Sequence, residues 1–404
     1  MIDPVTIATG RDYSLFAADV SDNGERIRSA FEGQRVLVVG GAGSIGSATV
    51  RAILPYRPAA VHVIDQNENG LAELVRDLRG SGLVEQKLDL RLMPLDYGAP
   101  VSRRFLGAAG RYDVVLHFAA LKHVRSEKDV ASILQMFDTN VLKQRRLMAW
   151  LSDAGSPSRY FAVSTDKAAN PASFMGASKR LMEQLIFTES CSPLGRAIRT
   201  SARFANVAFS AGSLLASFPE RVRRRQPLAV PRDTRRFFVS VEEAAQICLL
   251  GCAATPTAHV VIPRMHADRD LRQLTPIAEG FLETAGFRAV HFEDEPSARE
   301  AVEREAGRGN WPLLLTPRDT EGEKESEVFV ADGETPVEIG MSALLGIPQP
   351  AADPAVLGHV LSELQRIAEN SEVTVNKTDL ARLVGSAVSE FRPLEARRSL
   401  DERL

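Results

Sequence analysis

Gly40-Gly41-Ala42-Gly43-Ser44-Ile45-Gly46 follows the apolar run Arg35–Val39 and leads directly into Ser47-Ala48-Thr49-Val50-Arg51-Ala52-Ile53-Leu54, which has helical spacing. A strand, a glycine turn and a helix in that order form a phosphate cradle. Missing side chains let the turn close and let backbone amides approach an anion, while the helix amino terminus adds a favourable dipole. The spacing is Gly-x2-Gly-x2-Gly, with Gly41 in addition. A glycine motif alone is weak, but a strand before it and a helix after it make it specific for a dinucleotide pyrophosphate. Gly40, Gly43, Ser44, Ile45 and Gly46 are the expected cofactor-binding residues.

Working outward, short apolar runs alternate with amphipathic stretches. Arg35 to Val39, Ala59 to Ile64, Leu90 to Leu95, Val114 to Phe118, Tyr160 to Val163 and Ala197 to Phe204 read as strands. Continuous apolar strands separated by helices predict an α/β fold with a doubly wound parallel sheet covered on both faces. Asp65 ends the second strand about 20 residues beyond the turn, where a carboxylate accepts hydrogen bonds from ribose hydroxyls and repels a 2'-phosphate. NAD is therefore favoured, with NADP not excluded; as a rival role, Asp65 caps the next helix. Asp96 follows the third strand and either contacts the adenine amino group or serves a turn. Ala119 and Ala120, small residues after the fourth strand, let the chain pass close under a cofactor. His117 is read as structural.

The composition excludes several partner classes. A net charge of −3, with 44% hydrophobic and 25% charged residues, gives no basic excess for nucleic acid. No apolar window of about 18 residues occurs, so no membrane span is expected, and the acidic, polar amino terminus lacks a signal-peptide pattern. The expected location is cytoplasmic. Cys191, Cys248 and Cys252 lack the second ligand pair of a zinc site, so they read as buried reduced thiols and no metal is expected. The acidic and basic residues from Glu293 to Glu327 read as a solvated surface.

A second cluster begins at Ser164-Thr165-Asp166-Lys167, at the carboxyl end of the fifth strand, where open parallel sheets bind ligands. Hydroxyl, carboxyl and amine are presented together. Met175 and Lys179, four apart, share a face of the following helix. A short-chain dehydrogenase has Tyr-x3-Lys there, with Tyr as the proton acceptor. The thioether of Met175 takes no proton, so Asp166, Lys167 or a water held by Thr165 must serve.

Ser-Thr-Asp-Lys-Ala-Ala-Asn-Pro at 164–171, Met-Gly-Ala-Ser-Lys-Arg at 175–180 and the upstream Ala-Ala-Leu-Lys-His-Val at 119–124 resemble the CapD-like UDP-N-acetylglucosamine 4,6-dehydratases, extended short-chain dehydrogenases of polysaccharide biosynthesis. The resemblance covers roughly residues 34–345. It implies a Rossmann sheet with a smaller carboxyl-terminal substrate lobe, a nucleotide-sugar substrate, most simply a UDP-sugar, and a homo-oligomer. It further implies hydride removal from sugar C4, loss of water across C5 and C6, and hydride return to C6. In that scheme Lys167 is the base at C5, Asp166 the acid at the C6 hydroxyl, Thr165 the partner of the C4 oxygen, and Lys179 binds the nicotinamide ribose. Lys122 and His123 fall near the sugar, and Asn206, Arg236 and Lys324 near the nucleotide diphosphate. Two features depart from the family: Ala205 stands where Gly is usual, and the segment between Met265 and Glu321 is longer and more acidic.

The expected organisation is an arm at 1–33, a cofactor-binding domain at 34–205, a nucleotide-sugar lobe at 206–345 and a helical extension at 346–404. Two rival functions are a C4 epimerase or oxidase, which has no need for the acid and base at 166 and 167, and a cofactor-binding regulatory module without turnover.

Overall fold

Five consecutive apolar residues make β1 (Arg35–Val39), and Val36 through Val39 are fully buried. A strand covered on both faces must pair on both edges, and β1 does so. It runs parallel to β2 (Ala60–Asp65) on one side and parallel to β4 (Val114–His117) on the other. The computed structural model describes residues 3–84, 87–122, 127–317, 326, 328–349 and 352–393.

Three helices precede β1: α1 (Pro4–Thr9), α2 (Ala17–Asp22) and α3 (Gly24–Phe31). After β1 come α4 (Ser44–Ile53), then β2, α5 (Glu68–Gly80), β3 (Asp89–Pro94), α6 (Pro100–Ala109) and β4. Next are α7 (Val130–Phe137), a π-helical turn (Asp138–Leu142), α8 (Lys143–Asp153), β5 (Arg159–Val163), α9 (Phe174–Phe187) and β6 (Ile198–Ala202). The chain continues through β7 (Asn206–Val207), α10 (Ser217–Arg223), β8 (Leu228–Pro231), β9 (Arg235–Val239), α11 (Val241–Ala253) and β10 (His259–Pro263). It ends with α12 (Ala267–Asp270), β11 (Leu271–Gln273), α13 (Leu274–Thr284), β12 (Arg288–Phe292), α14 (Glu295–Ala306), β13 (Asn310–Thr316), β14 (Val337–Glu338), β15 (Leu344–Pro348), α15 (Pro354–Glu369) and α16 (Lys377–Ala387).

The main sheet has the order β14-β15-β10-β6-β5-β4-β1-β2-β3. Its strands from β3 through β10 are parallel, and β15 and β14 add an antiparallel edge. This is the doubly wound Rossmann arrangement expected from the sequence. The chain leaves β1 toward β2 and returns toward β4, so the carboxyl ends of β1 and β4 flank the crevice where such sheets bind ligands. The six strands expected from apolar runs are all present, with ends shifted by one or two residues, except that the chain turns out of β6 at Ala202 rather than Phe204.

Two small sheets lie beyond it, ordered β11-β9-β7 and β12-β13-β8. β9 belongs to the first of these, whereas β10, later in the chain, joins the main sheet. Residues 293–327 are more than solvated charge. Within them α14 and β13 bury Ala298, Ala301, Trp311, Leu313 and Leu314. The dense charges of α14 mask a helix whose small residues, spaced three and four apart, pack on a three-stranded sheet. Cys248 and Cys252 are buried in α11, but Cys191 is half-exposed, against expectation.

The amino-terminal arm is anchored in the core by Phe16, Ile27 and Phe31, all fully buried. Arg11 donates two bonds to Glu243, at 3.0 and 2.6 Å, and a third to the Phe238 carbonyl. Glu243 also closes a capping box with Ser240 at the start of α11. Asp19, buried in α2, accepts from the Ser342 and Ala343 amides.

Candidate active site

The glycine turn closes against the loop after β4. Gly40 has φ +80°, open to glycine at little cost, and a β-carbon there would lie 2.4 Å from the Ala119 nitrogen. A β-carbon on Gly46 would lie 2.4 Å from the Gly40 carbonyl oxygen, so α4 can sit this low on the turn only without a side chain. Asp65 accepts from the Ala42 amide and from the Asn67 amide, both at 2.9 Å. Its carboxylate thus braces the turn from the end of β2. It does not cap α5, because Asn67 occupies that position and accepts from Gly70.

A cavity of about 670 Å³ opens over this turn. Gly40, Gly43, Ser44, Ile45, Gly46, Asp65, Asp96, Ala119, Ala120 and Lys122 line it, whereas Thr165, Asp166, Lys167 and Met175 do not. Every expected cofactor residue but Lys179 lines it. Lys179, buried in α9, donates to the Val163 carbonyl at 2.9 Å, and Val163 is on the cavity surface. Burial lowers the Lys179 pKa to about 8, against an opposing pull from the Glu183 carboxylate. Asp96 serves its turn by accepting from Gly98 and pairs with Lys143 at 2.5 Å while still facing the cavity.

Two residues past Val163 the catalytic candidates form a bonded row. Thr165 Oγ donates to Asp166 Oδ1 at 2.8 Å, and Lys167 Nζ donates to the same oxygen at 3.1 Å. Asp166 is only 2% exposed, and its Oδ2 is buried without a hydrogen-bond partner. A surface ion pair is therefore excluded. Residues 166–168 form a single 3-10 turn, with the Thr165 hydroxyl accepting from the Lys167 amide. Met175 is buried at the start of α9, and its amide donates to Glu127, which with Ser173 caps the helix.

Asn140 was not singled out from the sequence. In the π-helical turn it accepts from the Leu121 amide and donates to the Leu121 carbonyl and to Ser178 Oγ, tying the β4 loop to α9. An amide inside an otherwise apolar helical run was the available signal. Lys122 donates to the Ala211 carbonyl, and Ser44 Oγ accepts from the Ala211 amide. Asn206 and Arg236 sit apart from the cavity on neighbouring strands, with Asn206 Nδ2 3.5 Å from the Phe237 carbonyl. His123 and Lys324 lie outside the described residues. His117 is buried between Tyr97 and Tyr160, and burial lowers its pKa well below the usual histidine range, as fits a structural role.

The family model described as polysaccharide biosynthesis protein matches residues 36–298, more than half of the chain. The chain belongs to that family. The CapD-like resemblance read from residues 119–124 and 164–180 thus holds. Within the family it is 29% identical over 269 residues to a Methanocaldococcus jannaschii protein named as the uncharacterized membrane protein MJ1061, covering 66% of this chain and 77% of that one. It is 28% identical to the probable polysaccharide biosynthesis protein EpsC of Bacillus subtilis, over 57% of this chain but only 37% of EpsC. A UDP-N-acetylglucosamine 4,6-dehydratase (inverting) of Campylobacter jejuni is 25% identical over 58% of this chain and 68% of that enzyme. In fold, the chain is similar to the X-ray structure of Pen from Bacillus thuringiensis, with TM-score 0.61 and 21% identity over 80% of this chain and 89% of that one. No helix among the described residues is long and apolar enough to cross a membrane.

Proposed function

We propose that the chain is a nucleotide-sugar 4,6-dehydratase acting on a UDP-N-acetylhexosamine, with NAD as resident cofactor. The observation that carries this reading is the hydroxyl–carboxylate–amine row at 165–167, two residues beyond the cavity-lining Val163, with a buried carboxylate oxygen left unpartnered. An oxidation at C4 alone needs one proton acceptor, whereas dehydration needs an acid and a second base.

The residues present fit a dinucleotide: the Gly40 and Gly46 cradle leaves room only for backbone, the helix α4 amino terminus faces the cavity, and Asp65 supplies ribose acceptors. Gly40, Gly43, Ser44, Ile45, Gly46 and Asp65 would hold the dinucleotide, whose nicotinamide would supply the hydride acceptor and donor for the sugar. Lys179 holds the adjacent ribose, and Asp65 selects against a 2'-phosphate.

The protein groups then account for every proton. Thr165 accepts from the C4 hydroxyl and passes the proton along its 2.8 Å bond to Asp166, which supplies the base function that Met175 lacks. Lys167 acts as the base at C5, whose proton the new C4 ketone makes acidic. Asp166 returns its proton to the C6 hydroxyl, which departs as water. Lys167 gives its proton back to C5 as hydride arrives at C6. Both side chains end as they began. Arg236 and Asn206, which lie outside the cavity lining, keep a diphosphate-binding role only as part of this proposal, where charge-assisted bonds favour arginine.

Epimerase is the second reading, because a UDP-glucose 4-epimerase of Rickettsia conorii is 25% identical over 232 residues. Mass spectrometry of the product from UDP-N-acetylglucosamine separates the two: loss of one water supports dehydration, and an isobaric product supports epimerisation. Lys167→Ala and Asp166→Asn are expected to abolish the water loss and keep cofactor binding. Undiminished dehydration in both would remove the assigned roles.

A further inference from the structure

Arg203 is fully buried on the chain leaving β6, and Glu183, fully buried in α9, lies against it. The pair is bidentate, with Arg203 Nε to Glu183 Oε1 at 2.8 Å and Nη2 to Oε2 at 2.6 Å. Isolated charges at this depth cost several kcal/mol each, so they persist only with full pairing. The partners come from the far end of the chain. Glu334 accepts from Arg203 at 2.6 and 2.9 Å and from Arg180 at 2.7 Å, and Glu390, just past α16, accepts from Arg180 at 3.1 Å. Burial pushes the carboxyls of Glu183 and Glu334 up, but the two guanidiniums outweigh it and hold both below the usual range, Glu334 at about 2.

One atom of this network touches the catalytic strand end. Ser164 Oγ donates to Glu183 Oε1 at 2.5 Å, and Ser164 immediately precedes Thr165. The far end of the same segment is held from the same side. Asn170, at φ +48°, exchanges two bonds with Asp332, its Nδ2 to Asp332 Oδ1 at 3.1 Å and the Asp332 amide to its Oδ1 at 3.0 Å. The Arg392 amide donates to the Pro171 carbonyl at 3.0 Å. Asp332 and Arg392 thus hold the 170–171 end directly, and the 164 end is held by Glu183, which Arg203 and Arg180 tie to Glu334 and Glu390.

We propose that Glu334 and Glu390 are positioning residues: through Arg203 and Arg180 they lock Glu183, and Glu183 in turn fixes the main chain that carries Thr165, Asp166 and Lys167. This rests on the dehydratase reading for its chemistry, but not for its geometry. Hydrophobic replacements at such depth are often as stable as ion pairs. A two-armed carboxylate fork, unlike an apolar contact, sets direction as well as distance. Glu334 of the lobe and Glu390 of the carboxyl-terminal extension thereby become part of the active-site frame without touching substrate.

Full-length Glu334→Gln and Glu390→Gln chains test this, with Glu363→Gln, which removes a surface pair to Arg366 in the same extension, as control. Amide hydrogen exchange across 164–171 is expected to quicken by roughly tenfold in both test variants, while the turn at 40–46 keeps its protection. NAD affinity and substrate KM should stay within about twofold as kcat falls by roughly tenfold, about 1.4 kcal/mol in barrier. The control should change neither. Unaltered exchange at 164–171, or acceleration spread evenly along the chain, overturns the proposal. If Glu334→Gln does not fold, Glu390→Gln decides, since its side chain is 24% exposed and pairs only at the edge of the network. Should the parent chain dehydrate no UDP-hexose while exchange moves as expected, the positioning claim stands and the dehydratase reading falls.

Discussion

Gly176 packs against the carbonyl oxygen of Lys167 so closely that a β-carbon on it would lie 2.3 Å away. The first turn of α9 and the 3-10 turn that bears Asp166 and Lys167 are in backbone contact there. Gly176→Ala must push that carbonyl aside, a strain of about 1–3 kcal/mol. The expected result is a loss of turnover of tenfold or more with NAD affinity nearly intact, measured by steady-state kinetics beside fluorescence titration. Normal kcat in a folded Gly176→Ala chain would show that the turn tolerates displacement.

Gly46→Ala should fail in the opposite way. Its β-carbon would meet the Gly40 carbonyl oxygen at 2.4 Å, inside the phosphate cradle and remote from residue 167. Cofactor binding is expected to drop below detection in calorimetry. Retained binding would mean that the cradle is not where the pyrophosphate sits.

Asp65 braces the glycine turn through Ala42 and faces the cavity, so Asp65→Asn removes a charge that does two jobs. Hydrogen bonds to charged groups contribute roughly 1.5–3 kcal/mol, which corresponds to about a 10- to 150-fold loss in NAD affinity. NADP should lose less, because the repulsion of its 2'-phosphate is relieved. Equal losses for the two cofactors would place the adenosine ribose elsewhere.

The main sheet was legible because its strands are buried on both faces and so read as unbroken apolar runs. The glycine turn and the 164–167 row were legible because backbone approach and proton transfer demand particular residue types. What escaped reading depends on distant partners. β12 and β13 lie on either side of a charge-rich helix, and nothing local says that Leu313 and Leu314 pair with β8. The long-range network is the same case: Glu183 follows Lys179 by four, on the same helical face, but its bonds to Arg203 and Ser164 belong to tertiary structure. The role of residues 1–33 was invisible for that reason too.

The arm offers its own prediction. Arg11 and Glu243 are 6% and 2% exposed, so Arg11→Ala leaves a carboxylate buried with half its partners gone. Breaking a buried pair from one side costs about 3–5 kcal/mol. The thermal midpoint of Arg11→Ala is expected to fall by several degrees, while Arg51→Ala, which loses only an exposed pair with Asp77, should shift by little. Equal midpoints would show that the arm does not hold α11.

Lys179 sets a pH signature with a definite sign. Burial lowers its pKa to about 8, the Glu183 carboxylate opposing, whereas the unfolded chain has the ordinary lysine value of about 10.4. Between those pH values the unfolded state binds more protons, so stability rises with pH across that window and is flat below about 8. Comparison of the parent with Lys179→Met by urea unfolding should therefore show the parent gaining about 3 kcal/mol relative to the variant from pH 8 to 10.5. If Lys179 holds the ribose as proposed, its neutral amine binds less well than its ammonium, so NAD affinity of the parent should fall as pH rises through about 8, and the variant should show no such step. A Lys179 resonance in selectively labelled protein that titrates near 10.4 would sink both expectations.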